Sequence, residues 1–207
     1  MRYLLLFLLC LLPVGLAHAD ATAPRPALLD QVLQQLARHG KVRANFTQTR
    51  ENPALAQPQA SHGDLLFVVG HGMIWHMREP LEDTLVMTPS GASRIDANGD
   101  IAPVRDGNRG VTQVSQMLQS MLAGNADEPL RQFDVTVEGS LAHWSMRFTP
   151  RQSRMAKVLA AIQLSGNEYL QAIDVELRSG EATRIRFENT RDAGELTGVE
   201  QRALGGP

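Results

Sequence analysis

Three histidines close together in the sequence, His62, His71 and His76, make the strongest case in this chain for metal chemistry. A zinc centre needs three or four such donors converging, with acids or carbonyls behind them to orient the rings. His71 sits in Gly70-His71-Gly72, a turn signal, while His62 and His76 fall on two different extended segments with no supporting acid evident from the spacing. They read as surface histidines. Paired carboxylates can share acid and base duties, and Glu79, Glu82 and Asp83 cluster around Pro80. A turn, however, is where solvated acids usually sit. Asp96-x-Asn98-x-Asp100 imitates the start of a calcium loop, but its twelfth position is Gly107, where a bidentate Glu is required. The chain has no Gly-x-Ser-x-Gly elbow, no phosphate-cradling loop ending in Lys-Ser or Lys-Thr, and no His-Glu-x-x-His. Its single cysteine, Cys10, lies in an N-terminal apolar run. The expectation is a protein that is not an enzyme, with no metal and no cofactor.

Soft apolar side chains are better supplied. All eight methionines except Met1 lie beyond residue 19. Met73, Trp75 and Met77 alternate along one extended segment and therefore share a face. Met87 falls on a nearby segment, and Met117, Leu118 and Met121 belong to one face of a helical pattern. Methionine is flexible and polarizable, which suits a surface that must accept a changeable apolar ligand. It also fills ordinary cores, and composition alone favours that use.

The elements that hold these residues follow from periodicity. Residues 1–19 read as a secretory signal: Arg2, an apolar run from Leu4 to Leu12, then Ala17-His18-Ala19 before the cut. The run is shorter than the roughly 20 residues a membrane span needs. Leu9 before Cys10 lacks the small residue of a lipoprotein-processing site. The mature chain is expected to start at Asp20 and form one domain over residues 20–207, in the periplasm. With Cys10 gone, no disulfide is available, so packing alone must stabilise it. Lys and Arg number 20 against 22 Asp and Glu, with no basic block to track a phosphate backbone. Nucleic acid is excluded as a partner.

Leu28, Leu29, Val32, Leu33 and Leu36 recur at helical spacing between Pro26 and Gly40, as one face of a helix that either packs on a core or covers a cavity. The period then changes to two, with Val42, Ala44 and Phe46 alternating with polar residues. Further strands are read at 63–69, 73–77, 84–88, 133–138, 144–149, 158–164, 170–178 and 183–189, with a hairpin at Asn98-Gly99 and a second helix at 111–123. The tail after Thr190 is weakly patterned. About ten strands in short-turn succession predict a mainly β fold with some α: a curled antiparallel sheet, with helices on its concave side.

Phe46-Thr47-Gln48, Gly63-Asp64-Leu65, Trp75-His76-Met77 with Pro80, and Leu85-Val86 stand in the order and approximate spacing of the LolA-type periplasmic lipoprotein carriers. The chain resembles that family over most of its mature length, including the ending Arg184 to Asn189. The resemblance implies an incomplete β-barrel with a helical lid over an apolar cavity. It also implies cargo in the form of an acylated lipoprotein or another lipid, taken from an extracting transporter in the inner membrane and handed to an outer-membrane acceptor. The family carries an inward arginine six positions before the tryptophan, which latches the lid; here that position is Val69. By alternation Leu65 and Phe67 share its side. The expected lining is therefore Phe46, Leu65, Phe67, Val69, Met73, Trp75, Met77, Met87, Met117, Leu118 and Met121. Without the latch, the empty form is expected to rest more open. The protein is expected to be monomeric. A competing reading is a half-barrel sensor that detects lipids or mislocalised lipoproteins, a type that usually has a second domain for which the mature length leaves no room.

Overall fold

The computed structural model describes residues 26–104 and 109–206, the side chains of 109–115 excepted. The expected signal lies outside the described residues, as does Gly107. Helix α1 (Ala27–Ala37) buries Leu29, Val32, Leu33 and Leu36. An N-terminal meander follows: β1 (Lys41–Glu51), β2 (Gln59–Val68), β3 (Gly72–Glu79), β4 (Asp83–Thr88), β5 (Gly91–Ile95) and β6 (Ile101–Pro103). Helices α2 (Arg109–Leu122) and α3 (Asp127–Gln132) lead into a second meander. It consists of β7 (Phe133–Ser140), β8 (His143–Pro150), the single turn α4 (Ser153–Ala156), β9 (Leu159–Gly166), β10 (Leu170–Leu177) and β11 (Ala182–Asp192). Helix α5 (Gly198–Ala203) is the last described element. The strands alternate as a half-buried sheet should: along β8, Trp144, Met146, Phe148 and Pro150 are buried while Arg147 and Thr149 are exposed.

The strands form one antiparallel sheet of eleven, ordered β6-β5-β4-β3-β2-β1-β11-β10-β9-β8-β7. Each meander is local, and the two are joined where β1 pairs with β11, from Val42 opposite Asp192 to Glu51 opposite Ala182. That ladder slips in register between Arg43 and Asn45, beside Asn189 at φ 52°. A slip in a sheet's middle strands increases local twist and bends it, which fits a sheet that curls without closing. β6 and β7 are the two edges of the sheet, and the link between them includes α2 and α3, whose apolar residues pack in the same cluster as the leucines of α1. Gly124, at φ 83°, stops α2 where an added Cβ would lie 3.1 Å from Ala37 of α1.

Three features depart from the sequence expectation. The weakly patterned tail contains α5, capped by Thr197 accepting from the Glu200 backbone N–H while the Glu200 carboxylate accepts from the Thr197 N–H. It lies on the face opposite α1 and α2, where Ala203 and Leu204 pack on Leu66, Val68, Ile74 and Val86. Helices therefore cover both faces, and α3 and α4 are too short to have carried a periodic signal.

Candidate functional site

Strand alternation divides the apolar residues between the two faces. On β2, Leu66 and Val68 turn toward α5, while Leu65 and Phe67 turn toward α1 and α2, joined by Val69 just beyond the strand. On β3 and β4, Ile74 and Val86 face α5; Met73, Trp75, Met77, Leu85 and Met87 face the other way. One cluster on the inner face gathers Phe46, Met117, Leu118 and Met121, with Met77 at its margin. A second gathers Phe67, Met73 and Met87 with Val69 beside them. Leu65, Trp75 and Leu122 touch both clusters, which makes one continuous surface. The eight sheet residues of the expected lining thus share one face, and Met117, Leu118 and Met121 of α2 pack against it.

The Phe46 and Trp75 rings lie 4.2 Å apart, tilted by 35°, and Phe187 meets Trp75 edge-on at 6.2 Å. Phe46 is opposite Gly63 in the β1–β2 ladder. The inner surface also extends well past the expected residues. Trp144, Met146, Phe148, Ile162, Leu164, Ile173 and Phe187 from the second meander are buried in the same cluster as the α1 leucines. The alternation of Trp144, Met146 and Phe148 was the signal that could have identified them.

The expected looseness of the lid meets a closed arrangement. Met117, Leu118 and Met121 of α2 are all buried. Helix α1 is tied down by polar contacts instead: Gln35 Nε2 donates to the carbonyls of Asn167 at 2.6 Å and Leu141 at 3.2 Å. Trp144 Nε1 donates to the same Asn167 carbonyl at 2.6 Å. His39, just past the helix, stacks on Tyr169 at 4.2 Å and pairs with Asp192 at 3.1 Å and Glu168 at 3.6 Å. Burial, followed by the Asp192 and Glu168 charges, pushes the Tyr169 phenol up.

Toward one end of the sheet this apolar face is only partly covered. Met77, Val175, Leu177, Ile185 and Met155 of α4 are half-buried there, against the fully buried centre. The inner face therefore opens at the end that carries the β1–β2, β3–β4, β8–β9 and β10–β11 loops.

The residues suited to polar chemistry are scattered. His62 meets Thr47 Oγ1 at 3.1 Å, and His71 meets the Leu204 carbonyl at 3.3 Å. His76 does have acids beside it, contrary to the sequence reading: Glu82 at 3.3 Å and, across the β2–β3 ladder, Asp64 at 3.8 Å. Register placed Asp64 there, and spacing alone could not. Asp83 pairs with Arg94, and the Asp96 carboxylate accepts the backbone N–H groups of Asn98 and Asp100. Among the described residues no three His, Cys, Asp or Glu side chains gather to hold a metal. Two surface clefts, of about 290 and 570 Å³, are polar in lining; the first lies by Arg43, Asp64 and Glu200, the second by Glu168 and Glu188. No helix among the described residues is long and apolar enough to cross a membrane.

A family model described as "Outer membrane lipoprotein carrier protein LolA-like" matches residues 21–203. No curated protein matches significantly. Among solved structures, a LolA superfamily protein from Nitrosomonas europaea is 11% identical with a TM-score of 0.47, covering 82% of this chain and 95% of that one. The MucA/MucB complex of Pseudomonas aeruginosa gives 11% identity and a TM-score of 0.49, and there the match covers 82% of this chain and 59% of that one. LprF from Mycobacterium bovis gives 12% identity, a TM-score of 0.39 and coverage of 82% and 94%.

Proposed function

This chain belongs to the LolA-like family of outer membrane lipoprotein carrier proteins, and from that premise we propose that it carries lipid through the periplasm on the apolar face between its sheet and its two inner helices. The observation that supports this most is the continuity of that face, from Phe67 and Met87 through Trp75 to Met121 and Trp144. A shuttle for acyl chains must hide them from water, worth about 0.8 kcal/mol per methylene, and needs no covalent step. Separating α1 and α2 from the sheet would provide that space, with Phe46, Leu65, Phe67, Val69, Met73, Trp75, Met77, Met87, Met117, Leu118 and Met121 as lining. Methionine side chains on both walls would let the lining repack around chains of different length.

In this reading residues 1–19 direct export, the mature chain from Asp20 is one domain, and the cargo passes from an inner-membrane extractor to an outer-membrane acceptor. The decisive experiment is mass spectrometry of lipids that co-purify with the exported protein, followed by their transfer to acceptor vesicles. Bound acylated species that transfer support the carrier. Bound species that stay put favour a sensor, and the absence of any lipid overturns both.

A further inference from the structure

Four of the five large apolar side chains exposed among the described residues, Leu55, Leu81, Ile101 and Val158, stand at the same end of the sheet. This follows from register, since Glu51 faces Ala182, Glu176 faces Ala161, His62 faces Glu79 and Thr84 faces Ile95. It is also the end at which the inner apolar face is half-open. Charge divides this rim. Around Leu81 stand Glu79, Glu82 and Asp83. Around Val158, which is 63% exposed, stand Arg154, Lys157 and Arg178, all exposed and none in an ion pair with a described residue. The backbone gathers them: the Arg178 N–H donates to the Val158 carbonyl at 2.8 Å, and Arg178 Nε donates to Ala156 O at 3.2 Å. Nearby charges are already engaged, Arg151 by Asp134, Glu176 by Arg147 and Glu181 by Asn52. Arg50, exposed and in register with Thr183, adds a fourth cation.

From this we infer that the β8–β9 side of the rim docks on an anionic bilayer surface, with Arg154, Lys157 and Arg178 against the headgroups and Val158 dipping between them. Unpaired cations around an exposed apolar residue are what such a surface attracts, by long-range Coulomb force and then by short-range burial. The partly covered Leu177 and Val175 lie directly behind, so an acyl chain could pass from the bilayer to the inner face without crossing water. That purpose rests on the carrier reading; the docking itself does not.

The test is flotation of the protein, expressed as the full chain, with phosphatidylcholine vesicles with and without phosphatidylglycerol. The expected result is binding only to the anionic vesicles, weakened by salt. The paired change Arg154→Glu with Lys157→Glu should lower it roughly tenfold or more, and Val158→Asp should lower it too. Leu81→Asp, on the acidic side, should leave it unchanged. Thermal melts verify that each variant is folded, and Arg154→Gln with Lys157→Gln serves if charge reversal unfolds the chain. No flotation, equal binding to both vesicles, or wild-type binding by the charge variants would overturn the docking. Acyl binding monitored at Trp75 in vesicle-free solution reports on the carrier reading separately.

Discussion

The ring of Phe46 lies over the bare backbone of Gly63, its partner on the neighbouring strand: a Cβ added there would come within 2.8 Å of the ring and collide with the His76 carbonyl. The same arrangement recurs in the second meander, where an added Cβ at Gly166 would come within 2.7 Å of the Trp144 ring, again its ladder partner. In each case a glycine leaves room for an aromatic ring on the inner face of the sheet. Gly63→Ala should therefore destabilise the fold by about 2–4 kcal/mol and disturb the Phe46–Trp75 contact. A melt and the Trp75 emission would both register it. A variant that melts like the wild type would show that the sheet accommodates the clash.

Trp144 is buried and bonded, whereas Trp75 is only half-buried. In a Trp144→Phe background, the emission of Trp75 should shift to the blue on addition of a fatty acid or an acylated peptide. Unchanged emission at saturating ligand would remove Trp75 from the lining.

Gln35 holds α1 to the hairpin ends through the Leu141 and Asn167 carbonyls. Gln35→Ala should cost about 1–2 kcal/mol and speed hydrogen exchange across residues 27–37. If α1 is the moving cover, acyl uptake should become faster as well. Faster exchange with unchanged uptake would assign the motion to α2.

Val69 is half-buried beside Phe67, Met73 and Met87. Val69→Arg places a cation against an apolar cluster and should destabilise by about 1–3 kcal/mol, less to the extent that the side chain reaches water. A rise in melting temperature, with slower exchange in α2, would show instead that it finds a latch partner.

Arg43 grips Glu200 through two bonds of 2.6 and 2.8 Å and, with the Thr197 cap, holds the Glu200 carboxyl below the usual carboxylate range. A depressed carboxyl stabilises the fold above its unfolded value of about 4.3, and this contribution is lost as pH falls through the lower folded value. As pH falls below the unfolded value of about 4.3 and toward the lower folded one, α5 should therefore loosen progressively, seen as increasing protease cutting near residues 198–206. Glu200→Gln should abolish that pH dependence while lowering stability at neutral pH by about 1 kcal/mol, the pair being partly exposed.

Period-two alternation was enough to locate nearly every strand, since a sheet with one buried face must alternate. Helix α5 leaves no periodic trace although Thr197 and Glu200 spell a capping box, because its apolar contact with the sheet amounts to little more than Ala203 and Leu204. Within the site, the placement of Phe67, Met73 and Trp75 on one face followed from parity plus one anchored position. The tie from Gln35 to Asn167 spans 132 residues and leaves no local trace. The pairing of His76 with Asp64 likewise depends on a register that the sequence alone does not determine.

The pairing of β1 with β11 also governs when this protein can finish folding. The first described strand waits for the last, so the central ladder is among the most sequence-distant contacts in the described chain, and such topologies fold in milliseconds to seconds rather than microseconds. Until residues 182–192 arrive, β1 presents a raw hydrogen-bonding edge and the first meander an uncovered apolar face, both templates for aggregation. Partly made chains would therefore be the most vulnerable form of this protein.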